Sequence, residues 1–302
     1  MAVDLIDFSP LHDVWIEDED GTCRPMDEPY FKFESIAPGT WKLLSDGDYY
    51  YLIEGDDEAI LFDGGYGAGN VRRMCQDLTK KPLRYIVNSH DHFDHTANNA
   101  YFDCAFMAEE SVPLVTRPFP SFAGIDFPRD YPIQVVDDGY IFHLGNRDLE
   151  VIKIPDHAVG SIALLDRKER LLFSGDELAT PESRMPLNGT VEHFANNMRK
   201  LAAHRSEFDI CCTGGQGLVP AEVVDRYLAC AEYILAGHEG VQVDQTPRKR
   251  PDPIYVEGHL TYKRRDARPC DLPPNFGEPN PDQRAIEFGG TTLTYDVNKV
   301  FD

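Results

Sequence analysis

The stretch that decides the fold reads Leu83-Arg84-Tyr85-Ile86-Val87-Asn88-Ser89-His90-Asp91-His92-Phe93-Asp94-His95. It opens as a short apolar, β-branched run that fits a buried strand, and it closes with three histidines and two aspartates inside six residues. Histidine and aspartate are costly to bury without partners, so packing explains this run poorly and a bound cation explains it well. In H-x-H-x-D-H at a strand-to-helix turn, His90 and His92 can face one metal while Asp94 and His95 face a second. Imidazole and carboxylate both suit divalent zinc or iron.

Working outward, the same grammar recurs. Tyr49-Tyr50-Tyr51-Leu52-Ile53 and Ala59-Ile60-Leu61-Phe62 read as a hairpin around Glu54-Gly55-Asp56-Asp57, and the second strand stops at Asp63-Gly64-Gly65. Val71 to Leu78 suits a helix that Pro82 stops. Further on, Leu149 to Ile154 alternates and ends at Pro155-Asp156-His157, and Leu171-Leu172-Phe173 ends at Ser174-Gly175-Asp176. Potential ligands therefore stand where strands stop. Thr190 can cap a helix carrying Val191, Phe194, Met198 and Leu201 at helical period, Phe208 to Cys212 is a strand leading to Gly214-Gly215-Gln216-Gly217, and Pro220 opens a helix to about Leu235. Three segments are expected: an N-terminal arm or lid over 1–40, a catalytic domain over 41–240, and a C-terminal β-rich extension over 241–302 packed on the same domain. The extension, with strand-like Ile254-Tyr255-Val256 and Thr292-Leu293-Thr294-Tyr295, is expected to cover the site or a subunit interface.

Composition narrows the function. The 302 residues are 42% hydrophobic and 27% charged, enough for a sizeable core. A net charge of -23 sets a field that repels polyanions, which argues against nucleic acid as a partner. Residues Met1 to Asp7 are acidic where a signal peptide would be basic, and no apolar run nears the roughly 18 residues that span a bilayer, so a cytoplasmic chain without membrane contact is expected. Seven cysteines, an odd number without a Cys-x-x-Cys pair, read as reduced and mostly buried thiols. The turn Gly65-Tyr66-Gly67-Ala68-Gly69 lacks the spacing of a dinucleotide loop, and no G-x-S-x-G elbow supports a serine hydrolase.

From about Trp41 to Leu235 the motifs resemble, in order, those of the metallo-β-lactamase superfamily. The histidine run matches its signature, Asp63-Gly64-Gly65 its strand-ending Asp-x-Gly, residues 155–161 its Pro-Gly-His-Thr-Pro-Gly-Ser segment, and Ser174-Gly175-Asp176 its Ser/Thr-Gly-Asp. The resemblance implies an α/β fold, a four-layer αββα sandwich, with a C-terminal β-hairpin extension. It implies that His157 completes a three-histidine site with His90 and His92, that Asp176 bridges two divalent metal ions, and that Asp94 and His95 hold the second. Zinc is the first expectation, with iron or manganese as alternatives. Two departures stand out: Asp156 replaces the glycine before the third histidine, and Gln216 replaces the last histidine. Gln216 is thus expected as a weak ligand at a loosened second site, with His259 as a possible substitute.

A cation held by neutral imidazoles keeps much of its charge and lowers the pKa of bound water from about 15.7 to about 7. Asp94 is expected as the catalytic group that orients this water and relays its proton, and Asp63 as an acceptor for a ligand imidazole N–H. The fold leaves the substrate open. The expectation is a hydrolase of a small carboxylic ester, lactone or thioester, acting on a small-molecule substrate and compatible with a homo-oligomer. The alternatives are a persulfide-dioxygenase-like oxidoreductase using one iron, or a phosphodiesterase of a small substrate.

Overall fold

The computed structural model describes residues 14–17, 23–25, 31–45, 48–65, 70–116, 120–121, 125–126, 129–243, 254–256, 259–263 and 280–302. The chain divides into two compact units: the first comprises residues 1–135, 144–146 and 248–276, and the second 136–143, 147–247 and 277–302. It is a mixed α/β protein with several sheets.

The first unit is built on a seven-stranded sheet, in the order Ile133–Val135, Cys104–Met107, Leu83–Val87, Ala59–Phe62, Asp48–Glu54, Thr40–Ser45, Lys32–Ala37. The strands Ala59–Phe62, Leu83–Val87 and Cys104–Met107 run parallel. Their carboxyl ends therefore share one edge, the usual place for a site in such a sheet. All four residues of Ala59–Phe62 are buried, as expected of a central parallel strand covered on both faces. Leu52, Leu61, Ile86, Phe93, Tyr101 and Met107 belong to its core, each such side chain contributing about 1.5–3 kcal/mol on burial. The helix Val71–Leu78 falls on the expected residues, with the Asn70 side chain accepting from Arg73 N at 3.0 Å. Lys32–Ala37 pairs antiparallel with Thr40–Ser45 as an edge strand of this sheet, because Pro38-Gly39, with Gly39 at φ 60°, turns the chain back tightly. A separate backbone ladder joins residues 23–25, 14–17, 259–263 and 254–256.

The second unit carries a six-stranded sheet, in the order Ile141–His143, Asp148–Lys153, Ile162–Asp166, Leu171–Gly175, Ile210–Thr213, Gly217–Pro220. Asp148–Lys153 and Leu171–Gly175 are each antiparallel to the strand between them, and the latter is parallel to Ile210–Thr213. The turns after these three strands, which hold His157, Asp176 and Gln216, thus leave from one edge. The helix Val191–Ala203 begins at Thr190, whose hydroxyl accepts from His193 N, and it buries Val191, Phe194, Ala195, Met198 and Leu201. It shares a core with Glu222–Leu235, where Phe194 meets Tyr227 edge-on at 6.0 Å. Pro220 does not open that helix. It ends a strand paired with Ile210, a place where a residue without an N–H is tolerated, and the helix starts at Glu222 after Ala221.

The expected C-terminal hairpin is Gln283–Phe288 with Thr291–Asp296, joined by Gly289-Gly290 at φ 64° and 79°. Thr291–Asp296 also runs parallel to Arg184–Pro186. Cys75, Cys104, Cys211, Cys212 and Cys230 are free thiols; the side chains of Cys23 and Cys270 lie outside the described residues. No described helix is long and apolar enough to cross a membrane.

Candidate metal centre

In the first unit, two strand ends and one short helix assemble the histidine turn. Asp63 adopts φ 62°, a left-handed conformation that aspartate tolerates better than most residues other than glycine. The turn is fastened on both sides. Gly64 N donates to His95 O at 2.9 Å, and Asn98 Nδ2 donates to Gly64 O at 2.6 Å. Space is tight at Gly64, where a Cβ would stand 2.9 Å from Ile86 Cδ1 and 3.2 Å from Asn98 Cβ. The Asp63 carboxylate then does two things: Oδ1 accepts from Ser89 N at 2.7 Å, and Oδ2 lies 3.0 Å from His95 Nδ1. An acceptor so close to an imidazole nitrogen favours the tautomer with its proton there.

The helix Phe93–Thr96 starts directly after His92, with Asp94 in its first turn and His95 in its last. The ring centroid of His90 is 4.4 Å from that of His92 and 4.2 Å from that of His95. The Ser89 hydroxyl sits 2.9 Å from His90 Nδ1. His95 Nε2 and Asp94 Oδ2 are 4.0 Å apart. His90, Asp94 and His95 are buried. Three imidazoles this close would repel one another if protonated, whereas neutral rings present lone pairs suited to a divalent cation. The donor set of this turn therefore fits a metal.

In the second unit, His157 Nε2 lies 3.6 Å from Asp176 Oδ2. Asp176 follows Gly175, whose φ of 53° ends the strand at a register shift and redirects the chain. Behind them lies Glu177, only 1% exposed, whose Oε1 accepts from Asp156 N at 3.0 Å and His157 N at 2.7 Å. Burial, reinforced by the nearby Asp156 charge, pushes its carboxyl up to about 8. Burial likewise raises the Asp156 carboxyl, against the pull of the Gly189 and Asn188 backbone N–H groups. Gln216 uses its amide on the protein: Oε1 accepts from Thr180 N at 2.9 Å and Nε2 donates to the Ser183 hydroxyl. The His259 side chain lies outside the described residues.

Sequence reasoning did not find Ser89, Glu177 or Asn188. Ser89 and Glu177 adjoin expected ligands and could have been noticed there. Asn188 carries no local signal at all. Other histidines are engaged elsewhere: His143 pairs with Asp148, His193 bonds to Pro155 O, His204 faces Glu207, and His238 stacks on Tyr233.

Comparison with known proteins bears on the family. The family model described as Metallo-beta-lactamase superfamily matches residues 47–205, more than half of the chain. The acyl-coenzyme A thioesterase MBLAC2 of Homo sapiens is 26% identical over 158 residues, which cover 42% of this chain and 56% of that protein. The hydroxyacylglutathione hydrolase of Aliivibrio fischeri (strain MJ11) is 28% identical over 170 residues, covering 55% of this chain and 60% of the relative. The match thus spans little more than half the length of these curated relatives. Among solved structures, the metallo-β-lactamase FIM-1 of Pseudomonas aeruginosa in its mono-zinc form is similar with a TM-score of 0.53 at 17% identity, over 70% of this chain and 98% of that one. Motif order, strand-end donors and family match lead to one assignment: the chain belongs to the metallo-β-lactamase superfamily.

Proposed function

We propose that the chain is a metal-dependent hydrolase of small thioesters, within the wider class of carboxylic ester and lactone substrates. The observation that carries this reading is the buried histidine turn of the first unit, with Asp63 beside His95 and Ser89 beside His90. On this reading, which rests on the family resemblance, the donors of both turns would serve one centre: His90, His92 and His157 would hold one ion, and Asp94, His95 and Asp176 a second. A divalent ion so held supplies a water of pKa about 7 and a Lewis acid for the substrate carbonyl. The chain's own residues do the rest. Asp63 and Ser89 hold the imidazoles in one tautomer, and Asp94 is placed to orient a nucleophile and take its proton. The thioester class is supported by the named activities of the human and Aliivibrio relatives. Zinc is the proposed metal, in two ions. The engagement of Gln216 by Thr180 and Ser183 favours a weaker second site, which keeps a one-iron oxidative reading in play as the alternative.

Metal analysis and a substrate panel test this. Purified protein should carry up to two zinc or manganese ions and cleave acyl-coenzyme A or glutathione thioesters faster than aryl esters, lactones or phosphodiesters. His92→Ala and Asp176→Ala should each abolish metal retention and turnover. One iron per chain with oxygen uptake and no ester cleavage would overturn the hydrolase.

A further inference from the structure

The turn that bears His157 is held by a circuit of hydrogen bonds inside the second unit. Glu177 takes the N–H groups of Asp156 and His157. Pro155 O accepts from His193 Nε2 and Asn197 Nδ2, both at 2.8 Å. The Asp156 carboxylate, only 7% exposed, accepts from Gly189 N at 3.0 Å and Asn188 N at 3.3 Å. Asn188 Nδ2 returns to His157 O at 2.8 Å. Gly189 lies so close that a Cβ there would stand 3.0 Å from Asp156 Oδ1.

The Asn188-Gly189 turn is fixed in its own right by the C-terminal residues. Leu187 N donates to Thr294 O, Val191 N to Lys299 O and Glu192 N to Val300 O, at 2.8 to 3.0 Å. The Lys299 ammonium donates to Asn188 O at 3.2 Å. A ligand imidazole needs its backbone held to within about 0.5 Å of the productive position. Glycine at position 156 would have no side chain with which to reach this support.

We propose that Asp156 is a positioning residue for the ligand His157, coupling the His157 turn through Asn188 and Gly189 to the C-terminal strand Thr291–Asp296. This rests on the reading of His157 as a metal ligand. Removing the carboxylate leaves two N–H donors of a half-buried turn without their acceptor and lets the His157 backbone move. Loss of such supporting bonds lowers metal affinity by about 10- to 100-fold.

The test is zinc affinity by chelator competition on full-length wild type, Asp156→Ala, Asp156→Asn, Asn188→Ala and the double variant Asp156→Ala/Asn188→Ala, with backbone amide exchange on the zinc-free proteins. Asp156→Ala should lose zinc affinity about 10- to 100-fold and Asn188→Ala less. Asp156→Asn should recover part, since its amide oxygen still accepts from Gly189 N. The double variant should be scarcely worse than Asp156→Ala alone, as for residues of one network. Unchanged zinc affinity in Asp156→Ala, with faster exchange at Gly189, would overturn the proposal. If Asp156→Ala does not fold, unchanged affinity in Asn188→Ala overturns it instead. A wild-type chain that binds no zinc would sink the metal reading itself, an outcome distinct from both.

Discussion

The two turns that carry the candidate metal donors are built on opposite plans. In the first unit the imidazoles are oriented at the ring: Ser89 meets His90 Nδ1 and Asp63 meets His95 Nδ1. In the second unit the support reaches His157 through its backbone, from Glu177 on the N–H and Asn188 on the carbonyl. Ring contacts set tautomer and direction together, while backbone contacts set position. Removing either support should lower metal affinity, by freeing ring tautomer and direction in the first turn and backbone position in the second.

The largest effect is expected at Asp63. Asp63→Asn keeps a residue that tolerates the left-handed backbone and one oxygen for Ser89 N, but it replaces the oxygen facing His95 Nδ1 with an N–H₂ group. Metal affinity should fall about 10- to 100-fold in a chelator titration. Equal affinity would mean that His95 needs no fixed tautomer and that the contrast between the turns is false.

A paired glycine substitution sharpens the contrast in packing. Gly64→Ala drives a Cβ to 2.9 Å from Ile86 Cδ1, and overpacking of this kind costs about 1–3 kcal/mol. Gly215→Ala, in the turn that carries Gln216, meets nothing within 4 Å and should change stability by less than about 0.5 kcal/mol. Denaturant unfolding of the two variants measures the difference. Equal losses would remove the argument that the histidine turn is the tightly packed one.

This difference also explains what could be read from the sequence. The histidine turn is legible because its candidate donors lie within six residues and directly follow a short, mostly apolar strand. The helix Val71–Leu78 and the Thr190 cap were legible because caps and periodicity are local properties. The strand Lys32–Ala37 was not, because its four leading residues are exposed and it gains its partner only through the turn at Gly39. The start of the last helix was misplaced because Pro serves both a first helical turn and a strand end. Around His157 the candidate donors and the Asp156 departure were visible, but not what Asp156 reaches. Asp156 and Asn188 are separated by 32 residues, and no local pattern records a contact made across a sheet edge.

The smallest effect, and the one most particular to the second turn, is a pH dependence. Glu177 has a carboxyl pushed from 4.5 up to about 8 by burial and by Asp156, so the metal-free folded chain binds its proton more tightly than the unfolded chain. The stability this contributes is fully present below about pH 4.5 and is lost as pH rises through about 8. Glu177→Gln keeps an acceptor oxygen for the N–H groups of Asp156 and His157 and removes the titration. In urea unfolding of chelator-treated protein, the wild type should weaken more than the Gln variant between pH 5 and pH 8. Asp156, raised in the same direction, leaves a residual slope in both. Parallel losses in the two proteins would show that Glu177 holds the His157 turn as a carboxylate throughout, and that the backbone support of the second unit is as charged as the ring support of the first.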